Sequence, residues 1–131
     1  MSLNGLRLLV VDDDPDTREL LTIFFQYDGA DIVTVASASE ALEAISRVEP
    51  DILISDICLP DEDGYSLLLK VRNIKTEQGG EIPAIALTGC VRKDERVRAL
   101  SAGFRKHLSK PVDLDELTSV VTRLAEFKQL L

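Results

Sequence analysis

The sequence predicts an alternating α/β fold, in which a parallel sheet carries helices on both faces. Short runs of branched apolar residues recur along the chain, and the stretches between them have helical spacing. The 131 residues are 45% apolar and 29% charged, which fits one globular domain. Alternating strands and helices pack with right-handed crossovers. We therefore expect a single domain over residues 1–131, with its core at about residues 6–126.

Five apolar runs are predicted to be strands. Each is too short for a buried helix and is bounded by turn or charged residues. In chain order the predicted strands are Leu6–Val11, Asp31–Ala36, Asp51–Ser55, Ala84–Leu87 and Lys106–Ser109.

Helix signals fill the intervals between these strands. Asp14 is expected to cap the first helix, with Pro15 at its first helical position. Ser37 and Glu40 have the spacing of a capping box for the second helix. The other three helices are predicted in GYSLLLKVR, RKDERVRALSA and DLDELTSVVTRL.

Charge and composition exclude several function classes. The net charge of -8 argues against nucleic acid as a direct partner, because phosphate binding needs clustered lysine and arginine. No apolar run reaches the roughly 20 residues of a membrane span, and the N-terminus lacks a signal-peptide pattern. Two cysteines are too few for a disulfide scaffold and have no zinc-site spacing. We expect a cytoplasmic protein with no membrane partner.

Polar residues follow the predicted strands at the points where they end. In open parallel sheets, ligands bind beyond the carboxyl ends of the strands. The residues at these ends are Asp12 and Asp13 after the first strand, Asp56 after the third, Thr88 after the fourth and Lys110 after the fifth. Residues far apart in the sequence should therefore converge on one edge of the sheet.

This set of side chains suits a divalent cation and a phosphoryl group. Two carboxylates about 4 Å apart repel by about 4 kcal/mol at an effective dielectric of about 20, so the cluster needs a compensating charge. Mg²⁺ prefers oxygen ligands and binds one or two carboxylates together with phosphate oxygens. The pattern predicts phosphoryl transfer with Asp56 as nucleophile, Lys110 as a positive charge and Thr88 as a hydroxyl donor.

Four motifs in this order resemble those of the receiver domains of two-component response regulators. They are VVDDD, DICLPDEDG from Asp56 to Gly64, ALTG from Ala86 to Gly89, and KP at Lys110 and Pro111. The resemblance covers nearly the whole chain. It implies a flavodoxin-like fold with strand order 2-1-3-4-5.

The resemblance also implies roles for the site residues. Asp56 would accept a phosphoryl group from a histidine kinase or a phosphotransfer domain. Asp13, Asp56 and the backbone carbonyl of Cys58 would bind Mg²⁺, or Mn²⁺ in its place, and Asp12 would act through water. Lys110 would contact the phosphoryl oxygens, and its peptide bond to Pro111 would be cis. The domain would act in signalling rather than as an enzyme, although it would promote its own phosphorylation and dephosphorylation.

A conformational response is the second implication. Thr88 would move toward the phosphate and carry the change to the surface of the fourth helix, fifth strand and fifth helix, where a downstream protein binds. Gly89 replaces the usual alanine after the threonine, which keeps the approach to Asp56 open. His107 stands at a position often held by a switch aromatic. It is either a ring that moves when Thr88 engages phosphate or a partly buried strand residue with a fixed partner.

Further features refine this interpretation. The segments AGFRKHLSKP and IPAIALTG most resemble receivers attached to hybrid sensor histidine kinases, which indicates a phosphorelay. Cys58 and Cys90 are expected at the rim of the site, where small side chains limit the placement of hydrolytic water; a reversible disulfide between them is a second hypothesis. The candidate partner contacts on the fourth helix, otherwise a solvated face, are Arg92, Lys93, Arg96 and Arg98.

Two other function classes are open to test. One is a pseudo-receiver, a binding module that no longer takes phosphate, although all five acceptor-site positions are intact. The other is a phosphatase of the haloacid dehalogenase type, which also uses an aspartyl nucleophile. Its first motif needs threonine or valine where this chain has Asp16, and the chain lacks the residues for a cap domain.

Overall fold

The computed structural model describes residues 3–74, 82–89 and 95–130. Five strands and five helices alternate along these residues. They are β1 Arg7–Val11, α1 Pro15–Tyr27, β2 Asp31–Val35, α2 Ala38–Val48, β3 Ile52–Asp56, α3 Gly64–Arg72, β4 Ala84–Thr88, α4 Glu95–Ala102, β5 Lys106–Ser109 and α5 Leu114–Leu130. Each predicted strand agrees with its observed counterpart to within one residue at either end. The start of the predicted fourth helix, residues 92–94, lies outside the described residues.

The five strands form one parallel sheet in the order β2-β1-β3-β4-β5, which confirms the predicted fold. After β1 the chain adds β2 on one side and then crosses to add β3 on the other side. The strand order therefore reverses at β1, and a crevice forms between the loops that leave β1 and β3. Both strands end at the same level, since Val11 pairs with Ser55 in the register.

The hydrophobic core lies on both faces of the sheet. Along β1, Leu9 and Val11 face a cluster with α2, α3 and α4, whereas Leu8 and Val10 face a cluster with α1 and α5. All residues of β3 are buried. A strand covered on both faces is expected to be apolar throughout, which explains why continuous apolar runs predicted these strands well.

Local capping begins the first two helices directly after their strands. Asp14 Oδ1 accepts a hydrogen bond from the backbone N–H of Asp16 at 3.0 Å. Ser37 Oγ accepts one from the N–H of Glu40 at 3.2 Å, and the Glu40 carboxylate reaches back to the N–H of Ala36 at 3.3 Å. The predicted capping box is therefore present, with its carboxylate on the amide one residue before the cap.

Among the described residues, no helix is both long enough and apolar enough to cross a membrane.

Candidate functional site

The carboxyl edge of the sheet brings three aspartates together. Asp12 follows β1 and is 0% exposed, and Asp56 ends β3 and is 4% exposed, whereas Asp13 is exposed. One carboxylate oxygen from each of the three lies within 4.8 Å of the others. Because β1 and β3 are neighbours in the sheet, their ends hold these acids at the same point.

Lys110 joins the acidic cluster from the end of β5. Its Nζ lies 2.8 Å from Asp12 Oδ2 and 2.9 Å from Asp56 Oδ2. The backbone N–H of Lys110 donates to the carbonyl of Thr88 at 2.7 Å, which extends the β4–β5 pairing by one residue and fixes the root of the side chain. The Lys110–Pro111 peptide bond is cis. One lysine is thus shared between two buried carboxylates.

The three carboxylates carry more negative charge than the Lys110 ammonium balances. Burial raises the pKa of Asp12 above its ordinary value, and the contacts with Lys110 and with the N–H of Asp14 offset only part of this effect. For Lys110, burial alone would lower the pKa, but its contacts with Asp12 and Asp56 outweigh burial and raise the pKa. Lys110 is therefore charged at neutral pH, yet a single ammonium faces three carboxylates.

Backbone amides hold the remaining oxygens of the two buried acids. Asp56 Oδ1 accepts from the N–H of Cys58 at 3.0 Å, and Asp12 Oδ1 accepts from the N–H of Asp14 at 2.9 Å. Asp12 Oδ2 is buried, and among the described residues it has its ion pair with Lys110 but no donor at hydrogen-bonding geometry. In each buried carboxylate, one oxygen is therefore held by a backbone N–H and the other lies beside Lys110.

The donor set fits a hard divalent cation. Three clustered carboxylates whose negative charge one lysine does not balance are the conditions under which binding of Mg²⁺ is favourable. Cys58 lies two residues beyond Asp56, with its own amide tied to Asp56, so its backbone is part of the same constellation.

The loop between β3 and α3 is tightly turned. Gly64 donates its N–H to the carbonyl of Ile57 at 2.7 Å, and Cys58 forms an antiparallel bridge with Asp63. A Cβ added at Gly64 would lie 2.7 Å from the carbonyl oxygen of Asp56, so only glycine fits beside the end of β3. Asp63 Oδ1 caps α3 by accepting from the N–H of Ser66 at 2.8 Å.

Asp61 in this loop is a structural contact that the sequence did not reveal. Its two carboxylate oxygens accept from the backbone N–H groups of Ala38 and Ser39, at 3.0 and 2.9 Å. These amides open α2, whose start precedes Asp61 by more than 20 residues. No local pattern could have indicated a cap that comes from so far along the chain.

Thr88 and Gly89 border the same edge at the end of β4. Thr88 is 2% exposed, and Gly89 is exposed. A Cβ added at Gly89 would lie 3.9 Å from the Lys110 side chain, which is an ordinary van der Waals contact. The structure therefore has room for the usual alanine at this position, and steric exclusion does not explain the glycine.

His107 lies one strand farther out and away from the acidic cluster. It is half-buried on β5 and pairs with Ala86 of β4 in the register. Its Nε2 is buried and has no hydrogen-bond partner in the part of the chain that the structure describes. The ring lines a cavity of about 610 Å³ between α4, β5 and α5; the charged residues around it are Arg96, Lys106, Asp113, Glu116 and Arg123.

Some predicted site residues lie outside the described part of the chain. Cys90 is one of them, so the disulfide hypothesis stays a prediction; Cys58 is exposed. Arg92 and Lys93 are also outside it, whereas Arg96 and Arg98 are exposed on α4.

Comparison with known proteins agrees with this architecture. A model of the response regulator receiver domain matches residues 8–122. An uncharacterized 14.6 kDa protein encoded in the sodA1 3' region of Leptolyngbya boryana is 42% identical over 120 residues, covering 92% of this chain and 90% of that protein. Hybrid signal transduction histidine kinase D of Dictyostelium discoideum is 35% identical over 130 residues, covering 95% of this chain but 8% of the kinase. The structure of a putative response regulator from Chloroflexus aurantiacus J-10-fl has a TM-score of 0.83 at 32% identity, covering 92% of this chain and 98% of that one.

The fold and the site first define a class, the doubly wound α/β domains with an acidic cluster and a lysine at the carboxyl edge of a parallel sheet. Within that class, the chain belongs to the response regulator receiver domain family of two-component signalling. The resemblance drawn from the motifs, which included the receivers of hybrid histidine kinases, is confirmed.

Proposed function

We propose that this domain accepts a phosphoryl group on Asp56 from the phosphohistidine of a histidine kinase or a phosphotransfer domain. One observation carries the proposal: the buried Asp56 carboxylate is held by the Cys58 amide on one oxygen and by Lys110 on the other. It is also the member of the three-carboxylate cluster that ends the central strand.

The transfer needs a fixed nucleophile and positive charge on the phosphoryl oxygens. A carboxylate oxygen of Asp56 attacks phosphorus, the P–N bond of the phosphohistidine breaks, and the imidazole leaves with the bonding electron pair and takes up a proton. Lys110 already lies 2.9 Å from the Asp56 carboxylate and is charged at neutral pH, so it can contact the oxygens of the phosphoryl group once this is bound to Asp56. The Thr88 hydroxyl donates to the same group from the end of β4.

A divalent cation completes the site in this proposal. Asp13, Asp56 and the backbone carbonyl of Cys58 would hold Mg²⁺ or Mn²⁺, and Asp12 would act through water. The cation supplies positive charge opposite the phosphoryl oxygens when it is bound. The exposed position of Asp13 supports this role, because it leaves one side of the cluster open to solvent, from which the ion and the donor both arrive.

The phosphoryl group would be released from Asp56 by hydrolysis. Water attacks the phosphorus of the acyl phosphate, the bond between phosphorus and the Asp56 oxygen breaks, inorganic phosphate leaves with the oxygen of the water, and the Asp56 carboxylate is restored. Cys58 and Cys90 would limit how that water is placed, and Gly89, which has no side chain, would leave its approach open.

The signal would leave through the surface of α4, β5 and α5. Thr88 of β4 pairs with Ser109 of β5, and His107 lies two residues earlier on β5, so a shift of Thr88 reaches the histidine through one strand. The lack of a partner at His107 Nε2 among the described residues supports the mobile-ring role over the fixed-partner role. Arg96 and Arg98 would then contact a downstream protein, as part of a phosphorelay.

The test is the intact mass of the protein after incubation with acetyl phosphate, with and without Mg²⁺, sampled from seconds to minutes. We expect one phosphoryl adduct that needs the cation and is absent in Asp56→Asn. Asp31→Asn is the matched control, because it makes the same chemical change at the exposed start of β2, at the opposite edge of the sheet.

Other outcomes would overturn the proposal. No adduct on a folded wild type at any time point would favour the pseudo-receiver, and an adduct that survives in Asp56→Asn would place the acceptor elsewhere. Turnover of a generic phosphomonoester would favour the phosphatase.

A further inference from the structure

The loop between β3 and α3, residues 57–63, is anchored to a helix that is not its neighbour in sequence. The first backbone N–H groups of a helix have no partner within the helix. In α2, Ser37 Oγ satisfies the amide of Glu40, and Asp61 satisfies the two amides before it, those of Ala38 and Ser39. The hydrogen bond from Ser39, and then that from Ala38, lower the pKa of Asp61, so its carboxylate remains ionised at the positive end of the helix dipole.

The helix side of this anchor is packed into the hydrophobic core. Ala38, Ala41, Ala44 and Ile45 of α2 are buried in the core cluster that contains Leu9 and Val11 of β1. A loop bonded to the first turn of α2 is therefore connected, through core packing, to β1, which Asp12 and Asp13 follow.

The loop side contains the residue whose carbonyl is assigned to the cation. Other contacts of this loop lie with β3, β4 and α3: Ile57 donates its N–H to the carbonyl of Leu87 at 3.0 Å, Cys58 bridges to Asp63, Glu62 pairs with Lys70 of α3 at 2.6 Å, and Asp63 caps α3. None of these contacts reaches α2. Among the hydrogen bonds and ion pairs of the described residues, those of the Asp61 carboxylate connect the loop to α2 and, through α2, to the β1 side of the crevice.

We infer that Asp61 is a positioning residue of the cation site, which fixes the loop carrying Cys58 relative to the aspartates after β1 by bonding to the first turn of α2. The inference deepens the proposed function and rests on the assignment of the Cys58 carbonyl as a cation ligand. Without Asp61 the loop beyond Ile57 loses its two hydrogen bonds to α2, and the distance between the Cys58 carbonyl and the carboxylates after β1 is less well defined. The affinity for Mg²⁺ then falls.

The experiment compares Asp61→Ala with Ser37→Ala. Both variants remove a cap from the same end of α2, so both lower the melting temperature; only Asp61→Ala also releases the loop. Loss of a group that orients a metal ligand typically weakens affinity by about 10- to 100-fold, and because one ligand of several is affected here we expect about tenfold. Calorimetric titration of the full chain with Mg²⁺ should show this loss for Asp61→Ala and a change of less than about twofold for Ser37→Ala.

A second readout does not depend on the cation. In the metal-free protein, amide hydrogen exchange at Cys58 should accelerate in Asp61→Ala and remain at the wild-type rate in Ser37→Ala. Asp61→Asn keeps an acceptor for one of the two amides and should be intermediate in both measurements.

These outcomes separate the two proposals. If both alanine variants weaken Mg²⁺ binding equally, or if Cys58 exchange is unchanged in Asp61→Ala, Asp61 is only a helix cap and the inference is overturned. If the wild type binds no Mg²⁺ at millimolar concentration, the proposed cation site is wrong, and the exchange rates of the metal-free variants alone decide whether Asp61 positions the loop.

Discussion

The central strand β3 and the edge strand β5 both lead into the candidate site, yet their surroundings differ. All residues of β3 are buried, whereas in β5 only Leu108 is buried. Asp56 at the end of β3 has a hydrogen-bond or ion-pair partner on each oxygen, whereas His107 Nε2 lies beside a cavity with no partner among the described residues. Group transfer needs atoms held to within about 0.5 Å, whereas a switch needs a part with two arrangements. The contrast fits acceptor chemistry at the centre and conformational response at the edge.

The surface next to β5 continues this contrast. On α4, Val97 is 66% exposed and Leu100 is 44% exposed, three residues apart on one helical face. Both lie close in sequence to the exposed Arg96 and Arg98. An exposed apolar pair flanked by basic side chains fits a protein partner with apolar and acidic groups.

Replacing Lys110 should separate chemistry from cation binding and give the largest effect. We expect Lys110→Ala to slow phosphorylation by acetyl phosphate by about 100-fold or more, because it removes the charge that would stabilise the transferring group. Mg²⁺ affinity should be kept or increased, since a competing cation leaves the cluster. Rates from intact mass and affinity from calorimetry measure the two effects.

Lys106→Ala is the control for this change, because Lys106 is an exposed lysine on the same strand. It should phosphorylate at the wild-type rate. An equal loss in both variants would mean that β5 had been disturbed, and that the contrast between centre and edge does not hold.

The raised pKa of Asp12 predicts that this buried aspartate lowers the stability of the folded protein in a pH-dependent way. The folded metal-free state binds this proton more tightly than the unfolded state, so the stability contributed by Asp12 falls as the pH rises through its unfolded and then its folded pKa. Asp12→Asn should therefore raise the melting temperature of the metal-free protein at pH 7. The gain should shrink as the pH falls below the usual aspartate range.

Thermal unfolding at several pH values, with and without Mg²⁺, tests this prediction. Added cation should stabilise the wild type more than Asp12→Asn and so reduce the difference at pH 7. A metal-free variant that is less stable than the wild type at every pH would show that the ion pair with Lys110 outweighs burial.

His107 can serve as an NMR probe of the edge strand β5, since it is the only histidine in the chain. We expect its imidazole NMR signals to shift when acetyl phosphate and Mg²⁺ are added to the wild type, and to stay unchanged in Asp56→Asn. His107→Ala should still be phosphorylated within about twofold of the wild-type rate, because the ring lies outside the acidic cluster. Imidazole signals that do not shift on phosphorylation of the wild type would support the fixed-partner role.

How far the sequence predicts this molecule depends on the distance between interacting residues. Strand runs and the caps at Asp14 and Ser37 are local signals, and they located the elements closely. The rule that parallel strands end at one edge was sufficient to expect Asp12, Asp56 and Lys110 near one another, because it needs only the order of elements.

The remaining contacts depend on tertiary packing. Lys110 lies 98 residues from Asp12 and 54 from Asp56, and Asp61 lies 23 residues from Ala38. That one ammonium contacts two carboxylates, and that Asp61 caps α2, therefore depends on how distant loops pack at the same edge of the sheet. A single aspartate in an acidic loop has several equally plausible partners, and the sequence does not choose among them. The same holds for the cavity beside His107, which exists only after α4 and α5 pack against β5.

The smallest expected effect concerns the contact between α3 and α4, which lies between the buried centre of the sheet and the surface beside β5. Arg98 of α4 lies over the ring of Tyr65 of α3, with its Cζ 4.5 Å from the centroid, and Tyr65 makes an edge contact with Phe104 at 6.4 Å. An exposed cation–π contact contributes about 0.5–1 kcal/mol, so Arg98→Met, which keeps the aliphatic stem, should lower the melting temperature by a few degrees at about this energy. Arg96→Met is the control on the cavity side of the same helix and should leave stability nearly unchanged.

If the contact between Arg98 and Tyr65 also holds α4 in its resting position, Arg98→Met will enlarge the NMR response of His107 to phosphorylation without changing the phosphorylation rate. An unchanged NMR response would limit the role of Arg98 to stability.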